Sequence, residues 1–65
     1  MGYTLMHNAA MAQNIELLEW LKKEGADINA RENQGLTPLW LARQQGHGSD
    51  MAETIQWLEN NGAIE

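Results

Sequence analysis

The sequence predicts an all-α solenoid of two helix-turn-helix repeats with one projecting loop between them. Three observations lead there. Thr4-Leu5-Met6-His7-Asn8-Ala9-Ala10 recurs 33 residues later as Thr37-Pro38-Leu39-Trp40-Leu41-Ala42-Arg43, each copy with a glycine two residues ahead of its threonine, Gly2 and Gly35. Trp20-Leu21, followed by Gly25-Ala26, recurs at an offset of 37 as Trp57-Leu58, followed by Gly62-Ala63. Each half of each copy carries apolar residues at helical spacing. A fixed period of this length marks units that bury their apolar sides against one another. The offsets differ by four, so the second copy carries four extra residues around Gly46-His47-Gly48-Ser49.

The elements follow in chain order. Thr4 is placed to cap a first helix, and Gln13 stands where Gly46 stands in the second copy. If Gln13 adopts a positive φ there, strain of roughly 1 kcal/mol is expected. Asn14 is a good N-cap for a second helix. Its stripe is Ile15, Leu17, Leu18 and Leu21, with Trp20 beside it and expected in the core. Glu16 in the first turn and Lys22 and Lys23 in the last suit the helix dipole. Gly25 ends this helix. Gly25 to Leu36 then reads as an extended loop whose tip, Glu32-Asn33-Gln34-Gly35, has turn chemistry. Thr37 caps the third helix and Pro38 occupies its first position, where a missing N–H costs nothing. That helix runs to about Gln45, with Gly46 as its stop. Asp50 and Glu53 have capping-box spacing for the fourth helix. Ala52, Ile55 and Leu58, with Trp57, are expected to face inward, and Gly62 ends it.

Composition narrows the functional classes. A chain of 65 residues holds one domain, here residues 1–65, with repeat one at 2–34 and repeat two at 35–65, the insertion falling near 46–50. There is no cysteine, so no disulfide and no thiolate zinc site. Four Lys and Arg against nine Asp and Glu give a formal charge of −5, which phosphate backbones repel, so no nucleic acid is expected. No stretch approaches the ~18 apolar residues of a membrane span. No basic region precedes an apolar core at the N-terminus, and Met6 stands where a myristoylation signal wants Ser or Thr. A cytoplasmic location without membrane partners is the expectation. No cofactor, metal or catalysis is expected either. Gly-x-Ser-x-Gly and His-Glu-x-x-His are absent, and the His, Ser and Asp of Gly46–Asp50 lie in one short segment. His7 and His47 belong to different repeats and lack neighbouring ligands for zinc.

The motif residues identify a relationship. Thr37-Pro38-Leu39, Leu41-Ala42 and Gly46-His47 match one repeat of a Thr-Pro-Leu-His-x-Ala pattern. Thr4, His7, Ala9, Ala10, Asn14, Glu16, Leu18 and Leu21 match the one before it. Gly25-Ala26-Asp27-Ile28-Asn29-Ala30 follows the family's helix-end and finger segment almost without change. Over nearly its whole length the chain resembles the ankyrin-repeat family. It departs in five places: Leu5 replaces the motif's proline, Trp40 its histidine and Arg43 its second alanine, repeat two carries the insertion, and the second finger is cut short, with Ile64 where Asp27 stands.

The resemblance implies antiparallel helix pairs stacked in a row, with one projecting finger. It implies non-catalytic protein binding, as an adaptor or inhibitor, through the finger tip and the first helices. The contact positions it transfers are Asn33, Gln34 and Leu36 on the finger, with Tyr3 the counterpart of Leu36. On the first helices they are Gln44 and Gln45, matched by Met11 and Ala12. Trp40 has two readings: packing against the finger, or an exposed aromatic anchor for a partner. His7, at the motif's histidine, is expected to make a structural hydrogen bond. Glu16, Glu19, Glu53 and Glu59 are assigned to the convex side, either as a solvated face or as a field that steers a basic protein partner such as a nuclease or toxin.

Two alternatives stand beside binding. One is a structural unit that self-associates into a homo-oligomer through two uncapped apolar end faces. The other is a fragment or minimal design of a longer ankyrin array, since about three repeats are ordinarily needed for stability.

Overall fold

A computed structural model describes residues 2–45 and 51–65. Four helices follow in the expected order: α1 (Leu5–Met11), α2 (Ile15–Lys23), α3 (Pro38–Gln45) and α4 (Ala52–Asn60). There is no strand among the described residues. α1 packs against α2, α3 packs against α4, and α1 also packs on α3, so the two helix pairs stack through their first helices.

Local chemistry explains each helix start. Thr4 closes a capping box on α1: its hydroxyl accepts from the His7 N–H, and the His7 ring accepts from the Thr4 N–H. Asn14 caps α2 by accepting from the Leu17 N–H at 3.1 Å. Thr37 does the same for α3 through the Trp40 N–H at 3.2 Å. α4 begins after Met51, which makes no side-chain cap bond. The expected roles of Gly46, His47 and Asp50 lie outside the described residues.

One continuous core runs through both repeats. Met6, Ala9 and Ala10 of α1 join Leu18 and Leu21 of α2, Leu39 and Ala42 of α3, and Met51 and Leu58 around α4. Two expectations need correction. Trp20 is exposed. At 100° per residue it lies past Leu17, well off the line of Ile15, Leu18 and Leu21 that meets the core. On α4, Ala52 is exposed and Thr54 is buried. Met51, Thr54 and Leu58 fall within about 60° of one another around the axis, whereas Ala52 points about 120° away from Leu58. Ile55 and Trp57 sit half-buried at the core's edge.

Candidate interaction surface

The finger between α2 and α3 is built on one carboxylate. Glu32 is buried, and its Oε1 accepts from the Gln34 N–H at 2.6 Å and the Leu36 N–H at 3.1 Å. Its own backbone receives the Gly35 N–H at 2.8 Å and donates to the Leu36 carbonyl at 3.1 Å. Gly35 closes the turn with φ +81°, a conformation that a side chain would strain. Arg31 adds a guanidinium hydrogen bond to the Gly35 carbonyl at 2.8 Å. The tip is thereby held by its own residues.

Two side chains of the first repeat tie the second one down. His7 is fully buried. Because the Thr4 N–H donates to its Nδ1 at 3.1 Å, the neutral ring carries its proton on Nε2, which donates to the Leu36 carbonyl at 2.7 Å. The structural hydrogen bond expected of His7 is therefore present. Asn29 bridges to the end of α4: its Nδ2 donates to the Gly62 carbonyl at 3.2 Å and its Oδ1 accepts from the Ile64 N–H at 2.8 Å. An Asx turn onto Asp27 orients this residue. At the other end of the finger, Asn33 lies against Gly2, where a Cβ would collide with Asn33 Oδ1.

Against this frame, the sequence-predicted contact positions are distributed as follows. Asn33 and Gln34 are exposed at the finger tip, and Leu36 is half-buried at its base. Tyr3, the counterpart of Leu36, is exposed at the start of α1, its ring 5.8 Å from that of His7. Met11 is half-buried and Ala12 exposed at the end of α1; Gln44 and Gln45 are exposed at the end of α3. Trp40 is half-buried, so it both packs and shows a face. None of the nine is buried.

Sequence reasoning missed Glu32 and Asn29 as organising residues. Glu32 had a readable signal, an acid three residues ahead of a turn glycine, able to accept the turn's own N–H groups. Asn29 had none of its own, because its partners lie 33 and 35 residues away.

Glu16, Glu19, Glu53 and Glu59 are all exposed on α2 and α4. Arg43 of α3 pairs with Glu59 and lies 3.5 Å from Glu65. No helix of the described residues is long and apolar enough to cross a membrane.

Comparison with known proteins agrees with this architecture. Residues 6–59 match the family described as ankyrin repeats (many copies), and the chain belongs to that family. It is 44% identical over 46 residues to the potassium channel AKT1 of Arabidopsis thaliana, covering 71% of this chain and 5% of the channel. It is 39% identical over 46 residues to human protein phosphatase 1 regulatory subunit 27, covering 71% of this chain and 30% of that protein. It is 33% identical over 45 residues to human ankyrin repeat and SOCS box protein 3, covering 69% of this chain and 9% of that protein. The chain thus spans a small part of the length of these relatives. Ankyrin repeats as a family mediate protein–protein interactions.

Proposed function

We propose that this chain is a non-catalytic protein-binding module, an adaptor or inhibitor that engages its partner with the finger and the first-helix surface. The carrying observation is the division of labour within the finger. The Gln34 and Leu36 N–H groups and the Gly35 and Leu36 carbonyls are occupied by Glu32, Arg31 and His7, while Asn33 and Gln34 remain exposed. A loop ordered before contact loses little freedom on binding, which lowers the cost of association. Tyr3 and Trp40 would supply aromatic contact area, Met11 an adaptable apolar one, and Ala12, Gln44 and Gln45 the margin. One of the relatives is named as a regulatory subunit of a phosphatase, which fits a module that acts through a bound protein.

The test is capture from an extract of the source cell followed by mass spectrometry. Asn33→Ala with Gln34→Ala should weaken capture of the bound protein at unchanged helicity by circular dichroism. Equal capture by that double variant would move the contact surface off the finger. The net charge of −5 favours a basic partner. Association should then slow as salt rises through the range where the Debye length contracts below about 10 Å. A salt-independent association rate would remove the steering part of the reading.

A further inference from the structure

We propose that Asn61 is a self-modification site: an asparagine that deamidates with water as its co-reactant, that the contact between the two repeats holds inert, and whose modification irreversibly loosens that contact. Of the six asparagines in the chain, only Asn61 precedes a glycine. Asparagine is among the thermolabile residues. Gly62 has no side chain to shield its backbone nitrogen, and its freedom of rotation lets an unfolded chain reach the geometry for ring closure.

The chemistry is a ring closure followed by hydrolysis. The Gly62 backbone nitrogen attacks Cγ of Asn61 and gives up its proton to solvent. The N–Cγ bond forms and the Cγ–Nδ2 bond breaks. The side-chain nitrogen takes up a proton and leaves as ammonia. The product is a five-membered cyclic imide, which water then opens. Cleavage between the Gly62 nitrogen and Cγ leaves an aspartate. Cleavage between that nitrogen and the main-chain carbonyl carbon leaves an isoaspartate, with Cγ in the main chain. One ammonia is lost and one water gained, and nothing is oxidised or reduced.

The folded chain opposes the first step at each reacting group. Asn61 is the C-cap of α4, with ψ 15°. That angle turns the Gly62 nitrogen away from the Asn61 Cβ, and its N–H donates to the Glu59 carbonyl at 3.2 Å. The Asn61 side chain is engaged as well, its Nδ2 donating to the Trp57 carbonyl at 2.8 Å. The residues that follow are gripped from the other repeat. Asn29 donates to the Gly62 carbonyl at 3.2 Å and accepts from the Ile64 N–H at 2.8 Å. Asn29 is itself oriented by its own N–H, which donates to Asp27 Oδ1 at 2.9 Å. Rotation about the Cα–C bond of Asn61 carries Gly62 and Ile64 with it, so ring closure works against both Asn29 bonds.

The products cannot restore what the asparagine held. Either carboxylate lacks the N–H that meets the Trp57 carbonyl. Each also adds a negative charge at the negative end of the α4 dipole, where the last turn holds no basic residue. At the offset of 37 the equivalent position in the first repeat is Glu24, ahead of Gly25. There the last turn of α2 supplies Lys22 and Lys23, so an acid at this corner has cations beside it that α4 lacks. The isoaspartate also lengthens the main chain by one carbon, which shifts Gly62 and Ile64 against Asn29.

The test follows the full chain in heavy-oxygen water at mildly alkaline pH by peptide mass spectrometry. In guanidinium chloride, Asn61 should be the first asparagine modified, with heavy oxygen incorporated at that residue. In the folded chain the same site should react at least about tenfold more slowly, because only the minor population with the end of α4 open can close the ring. Asn29→Ala, with helicity checked by circular dichroism, should raise the folded-state rate about fivefold, the factor that one net hydrogen bond supports. Asn61→Gln, whose longer side chain disfavours the ring, should leave position 61 unmodified. The modified chain should exchange its Ile64 amide faster while amides of α1 keep their protection. Modification of another asparagine ahead of Asn61 in denaturant would overturn the site. Equal rates in the folded and unfolded chain would overturn its protection by the fold. A folded-state rate unchanged by Asn29→Ala would overturn the part played by the contact between repeats, and unchanged Ile64 protection after modification would overturn the loosening.

Discussion

His7 and Trp40 occupy the same place in two copies of one motif and do opposite things. His7 is fully buried and links a cap at its own helix start to a carbonyl in the next repeat. Trp40 is half-buried, and its indole can donate but cannot accept, so it cannot complete a capping box with Thr37 as His7 does with Thr4. The sequence motif therefore describes a repeat with a neighbour behind it. The same motif position thus carries a link between repeats in one copy and a half-buried aromatic in the other.

Replacement of His7 gives the largest separation between the two repeats. His7→Ala removes the acceptor for the Thr4 N–H and the donor to the Leu36 carbonyl, leaving polar groups unpaired beside a small void. A loss of about 3 kcal/mol is expected in urea unfolding. Trp40→Ala should cost about 1 kcal/mol, because its ring gives up only part of the burial of a core aromatic. Comparable losses would mean that the two positions still do the same job.

The tryptophans of the second helices come next. Trp57 packs against the core and Trp20 is exposed. Trp57→Ala should cost about 2 kcal/mol and Trp20→Ala less than about 0.5 kcal/mol, read from the same denaturation curves. A large loss at Trp20 would show that the first repeat's outer face is already covered in solution.

Much of the fold was legible because a repeat writes each signal twice. Thr4, Asn14 and Thr37 mark helix starts whose caps depend on residues three positions away, and Gly25 and Gly62 mark helix ends that depend on the preceding turn. Local rules reach that far. The burial of the tryptophans was not legible, because Trp20 and Trp57 have the same local setting and differ only in what lies beside them. Thr54 was missed for a related reason. A hydroxyl residue on a helix reads as surface, yet Met51 and Leu58 place it on the inward line. Of the candidate surface, the finger positions were proposed from the family pattern, and the structure adds that Asn33 and Gln34 are exposed. The buried carboxylate that supports them needed the geometry of the turn.

Asn29 isolates the polar part of the contact between repeats at smaller cost. Asn29→Ala removes both bonds to the end of α4, where the groups lie near water and recover solvent partners. A loss of about 1 kcal/mol is expected. The Ile64 amide should also exchange faster while amides of α1 keep their protection, by native-state hydrogen exchange. Uniform loss of protection would place Asn29 in a global rather than a local role.

The smallest effect runs in the stabilising direction. Three of the described helices end on the same pattern. The residue after the cap bonds back to one carbonyl and the next residue bonds one residue deeper: Gln13 and Asn14 to Ala10 and Ala9, Gly25 and Ala26 to Lys22 and Leu21, Gly62 and Ala63 to Glu59 and Leu58. This geometry sets a left-handed conformation at its first member. Glycine supplies it after α2 and α4, but Gln13 supplies it after α1, at φ 58°. The contact of Cβ with the following carbonyl costs about 1 kcal/mol there, and the tight corner into Asn14, which caps α2, holds it in place. Gln13→Gly should therefore raise unfolding stability by about 0.5–1 kcal/mol, the relief of strain being partly offset by the freer unfolded chain. Gly25→Ala, imposing on α2 the strain that α1 already carries, should lower stability by a similar amount. Opposite signs for these two substitutions would tie the difference to backbone conformation alone, since nothing lies within 4 Å of a Cβ built at Gly25.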